Sequence, residues 1–469
     1  MTFGIALAFL AGVFIAGMRW NGLPAFLLLC FLCAGTVGAA VIRRRFLRKH
    51  FLREYLLFIL AAAAGMFYFH YYRNNEAAGA GLPLRAGVEF AAVVSDEPQP
   101  SERFLIVPAR LEAPYAGAVT LFLDPLSEVA YGDLLSVRGE AEPGDGAYGA
   151  VAVFSPEYAI TATGRGFWLR EWLLGLKHGI LDVYKKALPR DEAALLGGIA
   201  FGSKVNFDRE LKEAMAASGT THLVAVSGYN ITIVILAASG IFGRFLPRRA
   251  TFTASTVLIV LFILMVGNAA SGVRAAIMGF LALIARELGR RFNMRNAITL
   301  TAAGMSIADP AALTGNMSFI LSFLSLLGIV YLAPAIKKLF RQEDAGFLGW
   351  RESGVTTLSA QLAVLPVLIH SFGRFSVTAI AANILVLSTV PLAMFFGLAL
   401  AAGGFISLHL AFFIASVAGL ILAYQLFVIR LFAGLAVPLP VPVDGTFFIA
   451  LYYMLLAAFA WRHGNAEKI

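Results

Sequence analysis

Long apolar runs recur from one end of this chain to the other, and nothing else in the sequence constrains the fold as strongly. Stretches at about 3–18, 23–42 and 54–72 open it. From Thr221 onward others fall near 222–243, 251–267, 273–289, 296–308, 317–336, 354–371, 377–401, 405–435 and 447–461. A spanning helix needs roughly 20 apolar residues, and inside hydrocarbon only helices or closed barrels satisfy their own backbone. The pattern predicts a polytopic α-helical membrane protein of about twelve helices, with 296–308 short enough to be re-entrant. Composition agrees, since 59% of the 469 residues are hydrophobic and 14% charged, where soluble domains carry about 25% charged residues. An ordinary soluble enzyme is excluded. Apolar segments that continue to the C-terminus also argue against a simple signal peptide.

A net charge of +9 and a pI near 9.6 invite a nucleic-acid reading, but the distribution of the charge points to topology. Segment 74–165 holds 13 Asp and Glu against 5 Arg. The basic excess lies in short loops: Arg43-Arg44-Arg45 with Arg48 and Lys49, Arg244 with Arg248-Arg249, Arg286 with Arg290-Arg291 and Arg295, and Lys337-Lys338 with Arg341. Such loops between apolar helices mark the cytoplasmic face of a membrane protein. With the run Arg43 to Arg53 inside, both termini are cytoplasmic, 74–165 is exported, and every basic cluster falls inside. The two cysteines, Cys30 and Cys33, share one apolar segment with no His or Cys nearby in sequence, so they read as apolar lining.

Four regions follow. Residues 1–73 form N-terminal transmembrane helices and 74–166 an inserted, exported all-β domain. Residues 167–220 form an amphipathic interfacial segment, and 221–469 the transmembrane core. The exported domain alternates in short runs such as Phe104-Leu105-Ile106-Val107 and Val119-Thr120-Leu121-Phe122-Leu123, separated by Pro, Gly and Asp. Five or so strands in that length fit a small closed barrel of the OB type. Its acidity favours a scaffold, because a polyanion gains nothing general from an acidic surface. A basic strip around Arg103, Arg110 and Arg138 is the alternative. In 167–189, Trp168, Trp172, Leu173, Leu176, Ile180 and Tyr184 share one side, as in a helix lying at the membrane interface.

The run Ser218-Gly219-Thr220-Thr221-His222-Leu223-Val224-Ala225-Val226-Ser227-Gly228-Tyr229-Asn230-Ile231 packs polar residues where hydrocarbon is expected. Polar groups at membrane depth face protein or water, so the run reads either as a polar path or as close helix packing. Its Ser-Gly pairs can break a helix. On an unbroken helix, His222 and Asn230 would share a face, two turns apart.

From Gly219 to Ile231 the chain resembles the signature of the ComEC competence-protein family, G-x-x-H-L-x-A-I-S-G-L-H-I. The resemblance continues through Ala194 to Gly202, Gly272-Val273-Arg274-Ala275, Ala308-Asp309-Pro310, Ser318-Phe319-Ile320-Leu321-Ser322-Phe323, Pro366, Phe372-Gly373 and Asn383. The exported segment also carries a family-like run from Gly132 to Gly139. This resemblance implies an inner-membrane channel for single-stranded DNA uptake in natural transformation. It implies DNA-receptor and cytoplasmic helicase-like motor proteins as partners, beside the lipid bilayer. Three departures stand out. Asn230 replaces the family's second His, Ser318 and Ile320 replace a Gly and a Gln, and no metallo-β-lactamase-like sequence follows the core. A nuclease is therefore expected from a separate polypeptide, and a homo-oligomer is compatible with the pattern.

The expected lining residues are His222, Ser227, Gly228, Asn230, Arg274, Ser322 and Asn383. Arg274 can meet a phosphate, pair with Asp309, or snorkel to the interface. Asp309 before Pro310 also suits a helix-end turn, and His370 with Arg374 an ordinary boundary. The seven histidines are widely separated, with no zinc-type spacing. No nucleophile–base pair or P-loop occurs, so neither catalysis, cofactor nor metal is expected. The rival functions are a small-solute secondary transporter, which paired broken helices would favour, and a non-transporting scaffold. One broken-helix signature is legible, with no obvious second copy.

Overall fold

The computed structural model describes residues 2–17, 49–79, 81–83, 85, 87–101, 103–143, 151–203, 207–224, 228–267, 269–339, 350–372, 374–375, 378–436, 439–440 and 446–463. The chain divides into two units, Met1–Phe167 with Arg291–Ile320 and Trp168–Arg290 with Leu321–Ile469. The first opens with α1 (Thr2–Gly17) and α2 (Lys49–Gly79). These pack backbone to backbone, Gly12 against the Ala62 carbonyl and Gly65 against the Phe9 carbonyl. Small residues at such contacts let helices approach where no hydrophobic effect drives them together.

Seven strands follow: β1 (Gly87–Val94), β2 (Gln99–Pro100), β3 (Leu105–Leu111), β4 (Ala118–Leu123), β5 (Leu134–Pro143), β6 (Val151–Phe154) and β7 (Glu157–Ala162). Five of them pair in a closed ring, β1-β3-β4-β6-β5 and back to β1. Only the β4–β6 pairing is parallel. β2 joins β3 and β7 joins β5 outside the ring. This is the small closed barrel expected from the alternating runs, and closure removes the strand edges of its five members.

Inward-pointing Val107, Leu121, Leu135, Val137 and Val153 are fully buried. β4 stays buried along almost its whole length because Phe122 stacks on Phe154, its register partner, with ring centroids 4.4 Å apart. Phe104 closes on both rings edge-on. No basic strip forms around Arg138, which lies in register between Glu89 on β1 and Glu157 on β7.

The second unit begins with α3 (Trp168–Ala187) and α4 (Arg190–Phe201). The apolar side of α3 is spent on packing: Leu173, Ile180 and Tyr184 are buried in the main helical core, and the Tyr184 hydroxyl donates to the Gly397 carbonyl at 3.0 Å. Of the residues expected on the interfacial side, Trp168 and Trp172 remain exposed. Asp191 in the first turn of α4 pairs with Arg430. Burial first, and Asp191 second, push the neighbouring Glu192 carboxyl upward, while Arg430 pulls it down.

Next come α5 (Arg209–Ala217), a 3₁₀ turn at Thr221–Leu223, α6 (Gly228–Phe245), α7 (Arg248–Val266) and α8 (Ala270–Glu287). Arg248, opening α7, caps the end of α8 through the Arg286 and Glu287 carbonyls and the Glu287 carboxylate. Cations at a helix C-terminus satisfy its unpaired carbonyls and its dipole. Helices α9 (Met294–Ala308) and α10 (Ala312–Gly315) return to the first unit, where the Tyr68 hydroxyl donates to the Ile307 carbonyl at 2.6 Å. Asp309 accepts from the Ala311 and Ala312 N–H groups, the turn role that Asp before Pro suggests.

The remaining elements are α11 (Met317–Leu339), α12 (Trp350–Phe372), β8 (Arg374–Phe375), α13 (Ala379–Leu387), α14 (Val390–Ile406), α15 (Leu408–Gly434), β9 (Leu439–Pro440) and α16 (Thr446–His463). Pro366 inside α12 has no N–H for the Leu362 carbonyl one turn back. Tyr452 of α16 supplies the donor instead, at 2.9 Å, and Tyr453 donates to Ala363 at the same distance.

Among the described residues four helices are long and apolar enough to cross a membrane: α7, α11, the Gly354–Ser371 part of α12, and α15. A fifth span arises if α13 and α14, bent by 45° at their junction, cross as one. Gly4–Gly17 and Asn230–Phe245 are shorter apolar helices. The expected segment 23–42 lies outside the described residues.

Candidate functional site

The site centres on an interruption rather than a helix. The polar run predicted to begin a span at 222 opens as a 3₁₀ turn at Thr221–Leu223, and α6 starts at Gly228. Gly219 ends α5 in a Schellman turn: the Thr220 N–H reaches the Met215 carbonyl at 2.9 Å, and the Gly219 N–H reaches Ala216 at 3.2 Å. Gly219 has φ +70°, and a Cβ there would overlap the side chain of Ala379, the first residue of α13. Ser218 and Thr220, both fully buried, bond to each other at 2.8 Å. One turn of α4 completes the seat, because Gly198 leaves room for the Val224 side chain.

This break separates two residues that a continuous helix would align. His222 is exposed on the 3₁₀ turn, whereas Asn230 is 2% exposed on α6. Asn230 donates to the Ile199 carbonyl at 2.8 Å. Ile199 stands in the last turn of α4, where carbonyls lack intrahelical partners. An amide donor does this as well as a ring N–H, so the departure from His at position 230 keeps the brace. His222 and Asn230 therefore stand on different elements, the 3₁₀ turn and α6. Gly228 opens α6, and Ser227 lies outside the described residues.

Two other expected residues do meet. Arg274, on the second turn of α8, donates from Nε to the Ser322 hydroxyl at 2.7 Å, and its guanidinium lies 5.8 Å from the centre of the Phe323 ring. Ser322 and Phe323 are buried on α11. The two sequence motifs Gly-Val-Arg-Ala and Leu-Ser-Phe are thus halves of one contact, 48 residues apart. Among the described residues no carboxylate pairs with Arg274, and its two Nη groups have no partner.

Asn383 is 2% exposed on α13, and its Oδ1 has no hydrogen-bond partner among the described residues. Just beyond it the α13–α14 bend is held by Gln425, fully buried on α15, whose Nε2 donates to Thr389 Oγ1 at 2.9 Å. Thr389 in turn donates to the Val386 carbonyl at 2.8 Å. Gln425 was not among the residues expected from sequence. The signal was available, since one amide in the middle of a 27-residue apolar helix is costly unless it does something. His370 is exposed, and Arg374 pairs through its backbone with Pro440. Among the described residues no group of three or more His, Cys, Asp or Glu is placed to hold a metal ion.

Four or five apolar helices of crossing length, joined in one chain to a small β barrel, are the make-up of a membrane protein. The competence-protein family model matches residues 199–465, more than half of the chain, and the chain belongs to that family. ComE operon protein 3 of Bacillus subtilis (strain 168) is 26% identical over 220 residues, covering 45% of this chain. The match spans only 26% of that relative's own length. No solved structure matches the chain.

Proposed function

We propose that this chain is the inner-membrane channel through which single-stranded DNA enters the cell during natural transformation. The reading has twelve crossings, both termini in the cytoplasm and the barrel outside. The strand passes along polar groups of the interrupted core, with His222, Ser227, Gly228, Arg274, Ser322 and Asn383 beside it and Asn230 bracing the break. A receptor outside and a helicase-like motor inside deliver and pull the DNA. The chain itself guides and does no chemistry. One observation carries the reading: the motifs of a competence-protein family member converge on a part-buried arginine, with no carboxylate partner among the described residues, and its serine.

The test is entry of labelled DNA into the cytoplasm of a transformable host deleted for the gene. Restoration by the intact gene, and its failure with His222→Leu plus Arg274→Gln at equal membrane expression, is the expected result. Uptake that survives the deletion would overturn the channel.

A second reading is favoured by a specific observation. The α13–α14 junction is a second broken span, and paired broken helices are typical of secondary transporters of small solutes. Accumulation of a small anion in vesicles, with DNA entry unaffected by the deletion, would select that reading.

A further inference from the structure

We infer that Arg274, held by Ser322, is a binding site for a phosphodiester oxyanion, engaged through the guanidinium fork. The natural ligand rests on the channel reading, but the site itself does not. A guanidinium has five N–H donors. Here Nε is occupied by Ser322 Oγ at 2.7 Å, and the Phe323 ring lies 5.8 Å from the guanidinium centre. These contacts restrain the group and leave both Nη groups without a partner among the described residues. The side chain is only part-buried, so its fork is not sealed inside protein. A cation held by a neutral hydroxyl and beside a ring, with no carboxylate partner among the described residues, is positioned for an incoming anion.

Two parallel N–H donors match two phosphate oxygens, a geometry that Lys cannot reproduce. Ser322 is a positioning residue: it sets the direction of the fork and does not itself reach the ligand. Two sources carry this chemistry, the backbone of a nucleic acid and the headgroup of an anionic phospholipid.

The full chain, purified in a maltoside detergent without phospholipid, is titrated with two probes. One is an abasic deoxyribose-phosphate oligomer, which has the backbone and no bases. The other is short-chain phosphatidylglycerol. With the oligomer, Arg274→Gln is expected to weaken binding at least tenfold, the worth of a charge-assisted hydrogen bond. It also lowers the slope of log affinity against log salt by about 0.7, one phosphate contact on a single strand. Arg274→Lys keeps that slope yet binds about tenfold more weakly, because the charge survives and the fork does not. Ser322→Ala loosens binding about threefold without changing the slope, a pattern that general destabilisation would not produce.

Arg274-dependent binding of phosphatidylglycerol alone keeps the site and assigns it to lipid, which removes its support for the channel. Equal affinities of wild type, Arg274→Lys and Arg274→Gln for both probes would overturn the site. Should Arg274→Gln fail to fold, Arg274→Lys against wild type decides by the same criterion. If the site fails while the deletion still abolishes DNA entry, the channel reading survives without it.

Discussion

The barrel and the helical core handle polar groups in opposite ways. In the barrel the ring of five strands closes on itself, its inward side chains are aliphatic, and Thr120 and Asp133 are its buried polar residues among those described. Asp133 is fully used, accepting from the Ala130 N–H at 2.7 Å. In the second unit Ser218, Thr220, Asn230, Ser322, Asn383 and Gln425 are all buried, one pair of helices is bent at a break, and oxygens of Asn383 and Gln425 have no partner among the described residues. Unsatisfied buried groups cost about 1–3 kcal/mol each. Under the proposed channel reading, the barrel is the scaffold and the helical core the working part.

Three substitutions would sharpen or break this contrast. The largest effect is expected for Leu121→Ala, which opens a cavity in the barrel at a cost of about 2–5 kcal/mol. It should lower the midpoint of the β-sheet transition in circular dichroism of the purified chain, and DNA entry should persist wherever the barrel still folds. Loss of entry with a folded barrel would contradict the scaffold role.

Gly219→Ala comes next, at about 2–4 kcal/mol, because Ala is strained at φ +70° and its methyl meets Ala379. Adding Ala379→Gly should recover the steric part and leave the backbone part, a coupling that a double-mutant cycle of thermal unfolding reads directly. Strict additivity would mean that Gly219 does not seat against α13.

The smallest effect is for Asn230→Leu, about 1–3 kcal/mol from the orphaned Ile199 carbonyl. Asn230→His retains a ring donor and should cost less. Equal losses for Leu and His would separate the stability of this position from the hydrogen bond.

Much of this molecule was legible in its sequence. The barrel strands were, because a half-buried strand alternates and Gly, Pro and Asp mark its turns. So was the helical character of nearly every apolar run. The bend within 377–401 was not. Hydropathy there is continuous, and the bend is held by tertiary contact, a Gln425–Thr389 bond between separate helices. Arg274 and Ser322 were each singled out by motif, but their contact joins residues 48 apart that no local pattern pairs. Asn230 was expected to line a path, and its bond to the Ile199 carbonyl at the end of α4 could not be read from sequence. The amphipathic side of α3 was read as facing lipid, yet periodicity cannot distinguish a lipid interface from a helix bundle.

The central claim, that a strand passes through the interrupted core, is tested most directly by photocrosslinking during arrested uptake. A benzoyl-phenylalanine is placed at position 222 beside the break, or at Leu126, which is 89% exposed on the barrel, and labelled DNA is halted midway through entry. The account predicts strong crosslinks from 222, their loss when Arg274→Gln is added, and weak ones from 126. Crosslinks from the barrel with none from 222 would contradict it.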